Sequence, residues 1–300
     1  MKLHAHPKPL TAPLSGGTQG ATVVVEPVST GQVRFPKASF ERDEGRFTKL
    51  KTLFGREKWE VPCPAFIVRH PTAGLILVDT GLHPSIATDP KQNYGRLASW
   101  YAKPAQQAGE DLPARLRARG VEARQVNVVI MTHLHQDHAS GISEFGNATF
   151  VVTAAEWDAA TRDPGPGAMH GYRLSNYDFV FDYRTVDFSS VDVDSYASFG
   201  RTFDLFGDGS VRLAYTPGHT AGHQSVILKL KRRDFVIAGD AIYTYRQLEG
   251  GPMPGRLHDE HNWNRSLQEL QLYHRDYPHA LIVPGHDPAY WPKLEARYEE

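Results

Sequence analysis

Val126-Asn127-Val128-Val129-Ile130-Met131-Thr132-His133-Leu134-His135-Gln136-Asp137-His138 is the stretch on which the fold turns. Its first six residues are apolar except Asn127, which reads as a buried strand. The strand stops at Thr132, and four ligand-type side chains follow within six positions: His133, His135, Asp137 and His138. Imidazole and carboxylate together suit zinc and its neighbours in the transition series. A loop leaving a strand end can turn all four toward one point, whereas a strand would alternate them across two faces. Burying such a cluster without a cation would be costly.

Working outward, three further strand ends carry a ligand-type residue. Val211–Tyr215 runs into Thr216-Pro217-Gly218-His219, Phe235–Ala238 into Gly239-Asp240, and Ala280–Val283 into Pro284-Gly285-His286. Paired histidines at one-residue spacing are common on surfaces, and a Gly-His alone carries little. The ordered set is what points to an active site built on a sheet edge.

The remaining elements fit that frame. Ala21–Val28 and Gly31–Phe35 read as two early strands, and 65–69 with 74–79 as a hairpin around Pro71-Thr72-Ala73-Gly74. Residues 97–102, 112–119, 154–161 and 262–273 read as helices, and 149–153 as a strand. Asp163-Pro164-Gly165-Pro166-Gly167 breaks the chain, and Tyr172–Ser198 reads as a surface excursion. Strand–helix alternation between two groups of strands predicts two packed sheets with helices outside. Residues 1–20 read as a flexible arm that wraps the domain or a partner, and 21–300 as a single hydrolase domain.

Composition narrows the function classes. The chain has 300 residues, 40% hydrophobic and 22% charged, with a net charge of −1, so neither a nucleic-acid binder nor a membrane-surface binder is indicated. No apolar run of membrane-spanning length and no secretory leader is visible. The single cysteine, Cys63, rules out an intramolecular disulfide and suits a reducing compartment, so the chain reads as cytoplasmic.

His-Leu-His-Gln-Asp-His, Thr-Pro-Gly-His-Thr-Ala-Gly-His, Gly-Asp and Pro-Gly-His resemble, in order, the motifs of the metallo-β-lactamase superfamily. Leu77-Val78-Asp79-Thr80-Gly81 resembles its first motif, and the likeness spans roughly Pro64 to Asp287. The resemblance implies an α/β fold, an αβ/βα sandwich of two mixed β-sheets with outer helices, and two divalent metal ions, zinc by expectation. By that carry-over His133, His135 and His219 hold one ion, Asp137, His138 and His286 the other, and Asp240 bridges. Asp79 and His223 stand behind the ligands. Asp240-Ala241-Ile242-Tyr243 is similar to the segment of N-acyl homoserine lactone lactonases in which a tyrosine follows the bridging aspartate by three. That likeness implies a quorum-quenching hydrolase in which Tyr243 hydrogen-bonds an oxyanion or ring oxygen and Asp137 carries a proton to the leaving alkoxide.

The expected partner is a small lactone or ester, with room left for a homodimer. A glyoxalase-II-like thioesterase, or another ester hydrolase on the same metals, is the alternative. A phosphodiesterase lacks a basic cluster here, and a flavodiiron protein would need a fused domain that 300 residues cannot hold. A binding module that kept the fold would not be expected to keep all seven ligands. Phe47, Phe54, Trp59 and Phe66 are candidates for an acyl pocket, with core packing an equal explanation. His170, His258 and His261 are candidates for the pocket mouth, and His4 and His6 read as solvated.

Overall fold

The structure, a computed structural model, describes residues 3–42, 48–162, 171–190 and 193–300. Among the described residues thirteen strands form two sheets. The first contains β1 (Lys8–Pro9), β2 (Val24–Pro36), β3 (Lys58–His70), β4 (Gly74–Val78), β5 (Val126–Ile130), β6 (Thr149–Thr153) and β7 (Asp182–Val186). The second contains β8 (Asp194–Tyr196), β9 (Phe199–Asp204), β10 (Val211–Tyr215), β11 (Gln224–Lys229), β12 (Asp234–Gly239) and β13 (Leu281–Pro284). Their orders are β1-β7-β6-β5-β4-β3-β2 and β13-β12-β11-β10-β9-β8. Both sheets are mixed: β4 to β7 run parallel while β2, β3 and β4 are antiparallel, and β13 lies parallel to β12 in an otherwise antiparallel sheet.

The period-2 alternation of the strands builds the layers. From β3, Phe66 and Val68 enter the core between the sheets, where they meet Leu213, Val226, Phe235 and Ile237. The intervening Ala65 and Ile67 face outward, under Leu112, Leu116, Phe145 and Trp157. Val236 and Ala238 of β12 face the other way, onto Leu270 and Tyr273 of the helix Glu260–Asp276. Strands covered on both faces read as continuous apolar runs, which is why β5 and β12 stood out in the sequence.

Several expectations change. The two early strands are one, paired with β3 throughout and interrupted by a register shift between Ser29 and Gln32. The stretch Tyr172–Ser198 is no surface excursion. It supplies β7 inside the first sheet and β8 at the edge of the second, and buries Tyr177, Tyr183, Val186 and Phe188. Its polar composition hid this because β7 buries only Tyr183 on its outer face and Val186 between the sheets, with Asp182, Arg184 and Thr185 half-buried, and tyrosine hydroxyls find carbonyl partners, Tyr177 on Ala160 and Tyr183 on Tyr177. The helix read as 262–273 starts two residues earlier, because the Asp259 carboxylate accepts the Asn262 N–H as an N-cap.

The arm lies along the domain: Lys8 and Pro9 pair with Arg184 and Thr185, the N–H groups of His4 and Ala5 reach the Asp178 carboxylate, and Ala5 is buried. The His4 side chain touches Asp178 and stays 74% exposed. The breaker 163–167 and His170 fall outside the described residues, as does Phe47. No helix among the described residues is long and apolar enough to cross a membrane.

Candidate metal centre

Five strands of the two sheets end at one crevice. From the first sheet come Asp79 after β4 and the 132–138 segment after β5; from the second, His219 after β10, Asp240 after β12 and His286 after β13. Asp137 and His138 sit on a short helical turn, Gln136–Ala139, where the sequence suggested loop throughout. That turn brings the two side chains back toward the strand ends.

The seven side chains converge as two groups. Nε2 of His219 lies 3.2 Å from Nε2 of His133 and 2.9 Å from Nδ1 of His135. Nε2 of His286 lies 3.3 Å from Nε2 of His138 and 3.4 Å from Oδ2 of Asp137. Asp240 divides its carboxylate between them. Oδ2 is 3.3 Å from His219 and 3.8 Å from His133; Oδ1 is 3.3 Å from His286 and 3.4 Å from His138. The groups His133–His135–His219, His133–His138–Asp240 and Asp137–His138–His286 can each hold a metal ion.

The outer nitrogens of four of these five rings, those of His133, His138, His219 and His286, are committed. Thr132 donates its hydroxyl to Asp79 at 2.7 Å and so accepts from Nδ1 of His133 at 3.0 Å. Asp79 also accepts from Nδ1 of His138 at 2.7 Å, and Pro62 O accepts from Nδ1 of His286 at 2.8 Å. The Tyr243 hydroxyl meets Nδ1 of His219 at 2.8 Å. With protons held on the outer nitrogens, the inner ones present lone pairs to one another, an arrangement that fits a cation between them. Asp240 Oδ1 fits the same test: it is buried and makes no hydrogen bond of good geometry. Imidazole and carboxylate are the donor chemistry of such an ion.

Electrostatics agree. Burial lowers His133 and His219 well below the ordinary imidazole range and His135 to about 4. Burial also opposes charge on His138 and His286, but Asp240 outweighs it, helped at His138 by Asp79, and their values rise. Asp240 itself is held well below the carboxylate range: burial acts against this, and His286, His138 and His219 prevail. The centre is rich in buried carboxylate and draws positive charge.

Two neighbours position the backbone. Asp79 adopts φ of 58°, a left-handed conformation uncommon outside glycine, which turns its carboxylate onto Thr132 and His138. His223, lowered by burial to about 3, stays neutral, so its Nε2 accepts the Asp240 N–H at 3.0 Å.

The centre opens into a cavity of about 850 Å³ lined by Phe35, Phe40, Leu53, Tyr94, Tyr101 and Ala102 beside His135, Asp137, Asp240, Tyr243 and His286. Of the aromatic residues proposed for this role, Phe66 is instead in the sheet–sheet core, Phe54 is 65% exposed, and Trp59 packs behind Phe40. His258 lies at the cavity; His261 is exposed and does not line it. Phe35, Phe40 and Tyr94 were missed because they lie far in sequence from the histidine cluster that begins at His133, and their convergence leaves no local spacing to read. The same holds for Pro62 and for Glu156 and Tyr172, which brace the ligand loops.

A family model described as the metallo-beta-lactamase superfamily matches residues 59–286. An N-acyl homoserine lactonase AttM of Azorhizobium caulinodans is 32% identical over 238 residues, 79% of this chain and 86% of its own length. AttM of Agrobacterium fabrum is 32% identical over 234 residues, covering 78% and 84%. A mutant of B. thuringiensis AiiA, with N-decanoyl-L-homoserine bound at its active site, superposes with a TM-score of 0.73 at 20% identity, covering 94% of this chain and 98% of that one, a likeness of fold.

Proposed function

The chain belongs to the metallo-beta-lactamase superfamily, and on that premise we propose that it is a dinuclear zinc hydrolase that opens the ring of N-acyl homoserine lactones. The observation that carries the reading is the division of the Asp240 carboxylate between two ligand groups at the floor of an apolar cavity. The lactonase names of its relatives support it. His133, His135 and His219 would hold one ion, Asp137, His138 and His286 the other, and Asp240 would serve both. When bound, such ions polarise an ester carbonyl and lower the pKa of water toward neutrality.

The chain's own residues do the rest. Phe35, Phe40, Leu53 and Tyr94 take the acyl chain and exclude water from it, leaving the ring over Asp137 and Tyr243. Tyr243 keeps its proton, because burial and then Asp240 push its hydroxyl well above the ordinary phenol range. Its oxygen accepts from Nδ1 of His219, so the O–H is directed at the substrate oxygen on which charge develops. Asp137, on the cavity wall, takes up the proton that the attacking water gives up as its oxygen bonds to the carbonyl carbon, and passes it to the alkoxide as the ring C–O bond breaks. Residues 21–300 act as one hydrolase domain, at work in the cytoplasm.

A panel of N-acyl homoserine lactones, thioesters and phosphodiesters, assayed on protein of verified metal content, tests the reading. Lactones should give the highest kcat/KM, rising with acyl-chain length until the cavity is filled. Thioesters turned over faster than every lactone would assign the site to the thioesterase alternative.

A further inference from the structure

Glu156 stands in the first turn of the helix Ala154–Arg162, just after β6, and no motif includes it. It is 0% exposed. Four neutral donors surround its carboxylate. Oε1 accepts from the Leu134 N–H at 2.9 Å and the Tyr172 hydroxyl at 3.0 Å. Oε2 accepts from the Thr220 hydroxyl at 2.6 Å and the Gly222 N–H at 3.2 Å.

The donors' positions give this arrangement its meaning. Leu134 lies between His133 and His135. Thr220 follows His219, and Gly222 precedes His223, whose ring holds the Asp240 N–H. Tyr172 packs its ring on His135 with centroids 4.9 Å apart, and the preceding Gly171 accepts the Gln136 N–H. Gly171, at φ of +81°, lies so close to that imidazole that a Cβ there would stand 2.5 Å from it. Leu134 precedes the short turn Gln136–Ala139 that carries Asp137 and His138, and none of the four donors comes from that turn or from the segment carrying His286. One oxygen therefore anchors the loop of the first two histidines and the other the loop of the third.

We propose that Glu156 is a positioning residue for the His133–His135–His219 group, tying its two loops together so that the three nitrogens converge. The proposal rests on the reading that this group holds a metal ion, and it assigns Glu156 to one of the two ions only. A glutamine cannot replace it. A hydroxyl can rotate to present its oxygen, but a backbone N–H cannot. Whichever way the amide is turned, its NH2 faces either Leu134 N–H or Gly222 N–H, donor against donor.

The test uses the full-length protein loaded with zinc, with metal affinity read by competition against a chromogenic chelator and ligand geometry by the visible spectrum of the cobalt(II)-substituted protein. Wild type should hold two equivalents. In Glu156→Gln one equivalent should weaken about 10-fold, at the low end of what orienting partners contribute, and its cobalt bands should shift while the other equivalent competes as in wild type. Two wild-type competition steps with an unchanged cobalt spectrum would overturn the proposal, whatever the melting temperature. If Glu156→Gln does not fold, the double variant Tyr172→Phe/Thr220→Val decides, since it removes one hydroxyl donor from each oxygen and keeps the carboxylate: selective weakening supports the proposal and unchanged binding overturns it. Fewer than two equivalents in wild type would instead count against the dinuclear reading.

Discussion

Replacing Tyr243 by phenylalanine removes a single hydroxyl from the place where the chain's own chemistry is most concentrated. The ring is 6% exposed and packs edge-on against Phe40 at 5.4 Å, with His219 at 5.4 Å and His286 at 5.8 Å, so Tyr243→Phe preserves the packing. Two things are lost. The first is the acceptor 2.8 Å from Nδ1 of His219. A buried N–H left without a partner costs about 1–3 kcal/mol, and losing a partner that orients a metal-binding histidine weakens metal about 10- to 100-fold.

The second loss, on the proposed mechanism, is a donor aimed at the substrate oxygen, worth about 10²–10³ in rate when it acts alone. Sharing that task with two cations reduces the expected loss to the order of 10- to 100-fold. The assay is steady-state hydrolysis of an N-acyl homoserine lactone, run once at stoichiometric and once at saturating zinc, beside a zinc competition titration. The loss of kcat should persist at saturating zinc, with KM changed less, because the contact tightens as charge develops. A kcat restored to wild type by added zinc would refute the donor role and leave Tyr243 as a prop for His219. Unchanged kinetics and unchanged zinc binding together would refute both roles.

Asp240→Ala should reduce bound metal from two equivalents toward one or none, with activity falling in step, because no carboxylate then separates the two cations; a full complement by elemental analysis would show that Asp240 is not the bridge. Phe66→Ala should act on stability and not on acyl-chain preference, since Phe66 packs between the sheets against Phe235 and Trp291. The expected cost is about 3–5 kcal/mol in chemical denaturation, and a changed chain-length profile in a variant of wild-type stability would return Phe66 to the pocket wall.

How much of this was legible in the sequence depends on the range of the interaction concerned. Cysteine and charge content, the apolar runs of β5 and β12, and the ligand-type residues at four strand ends are local properties, and local spacing reports them. β7 shows the limit: Asp182-Tyr183-Arg184-Thr185-Val186 buries Tyr183 among outer aromatic neighbours and Val186 between the sheets, and looks polar on paper. The bulged β2 shows another, since a strand's length is set by its partner, and β3 continues past the point where the sequence of β2 seems to break.

The sequence by itself determined the family likeness, the two-sheet architecture and the identity of seven converging side chains, because each ligand follows an apolar strand that must stop at the site. Only the tertiary structure decided how Asp240 divides between two groups, which phenol meets His219, what walls the cavity, and that Glu156 joins two ligand loops. Those facts depend on side chains brought together from both sheets and their connecting loops, and a contact between Leu134, Glu156, Tyr172 and Thr220 exists only once the sheets have packed.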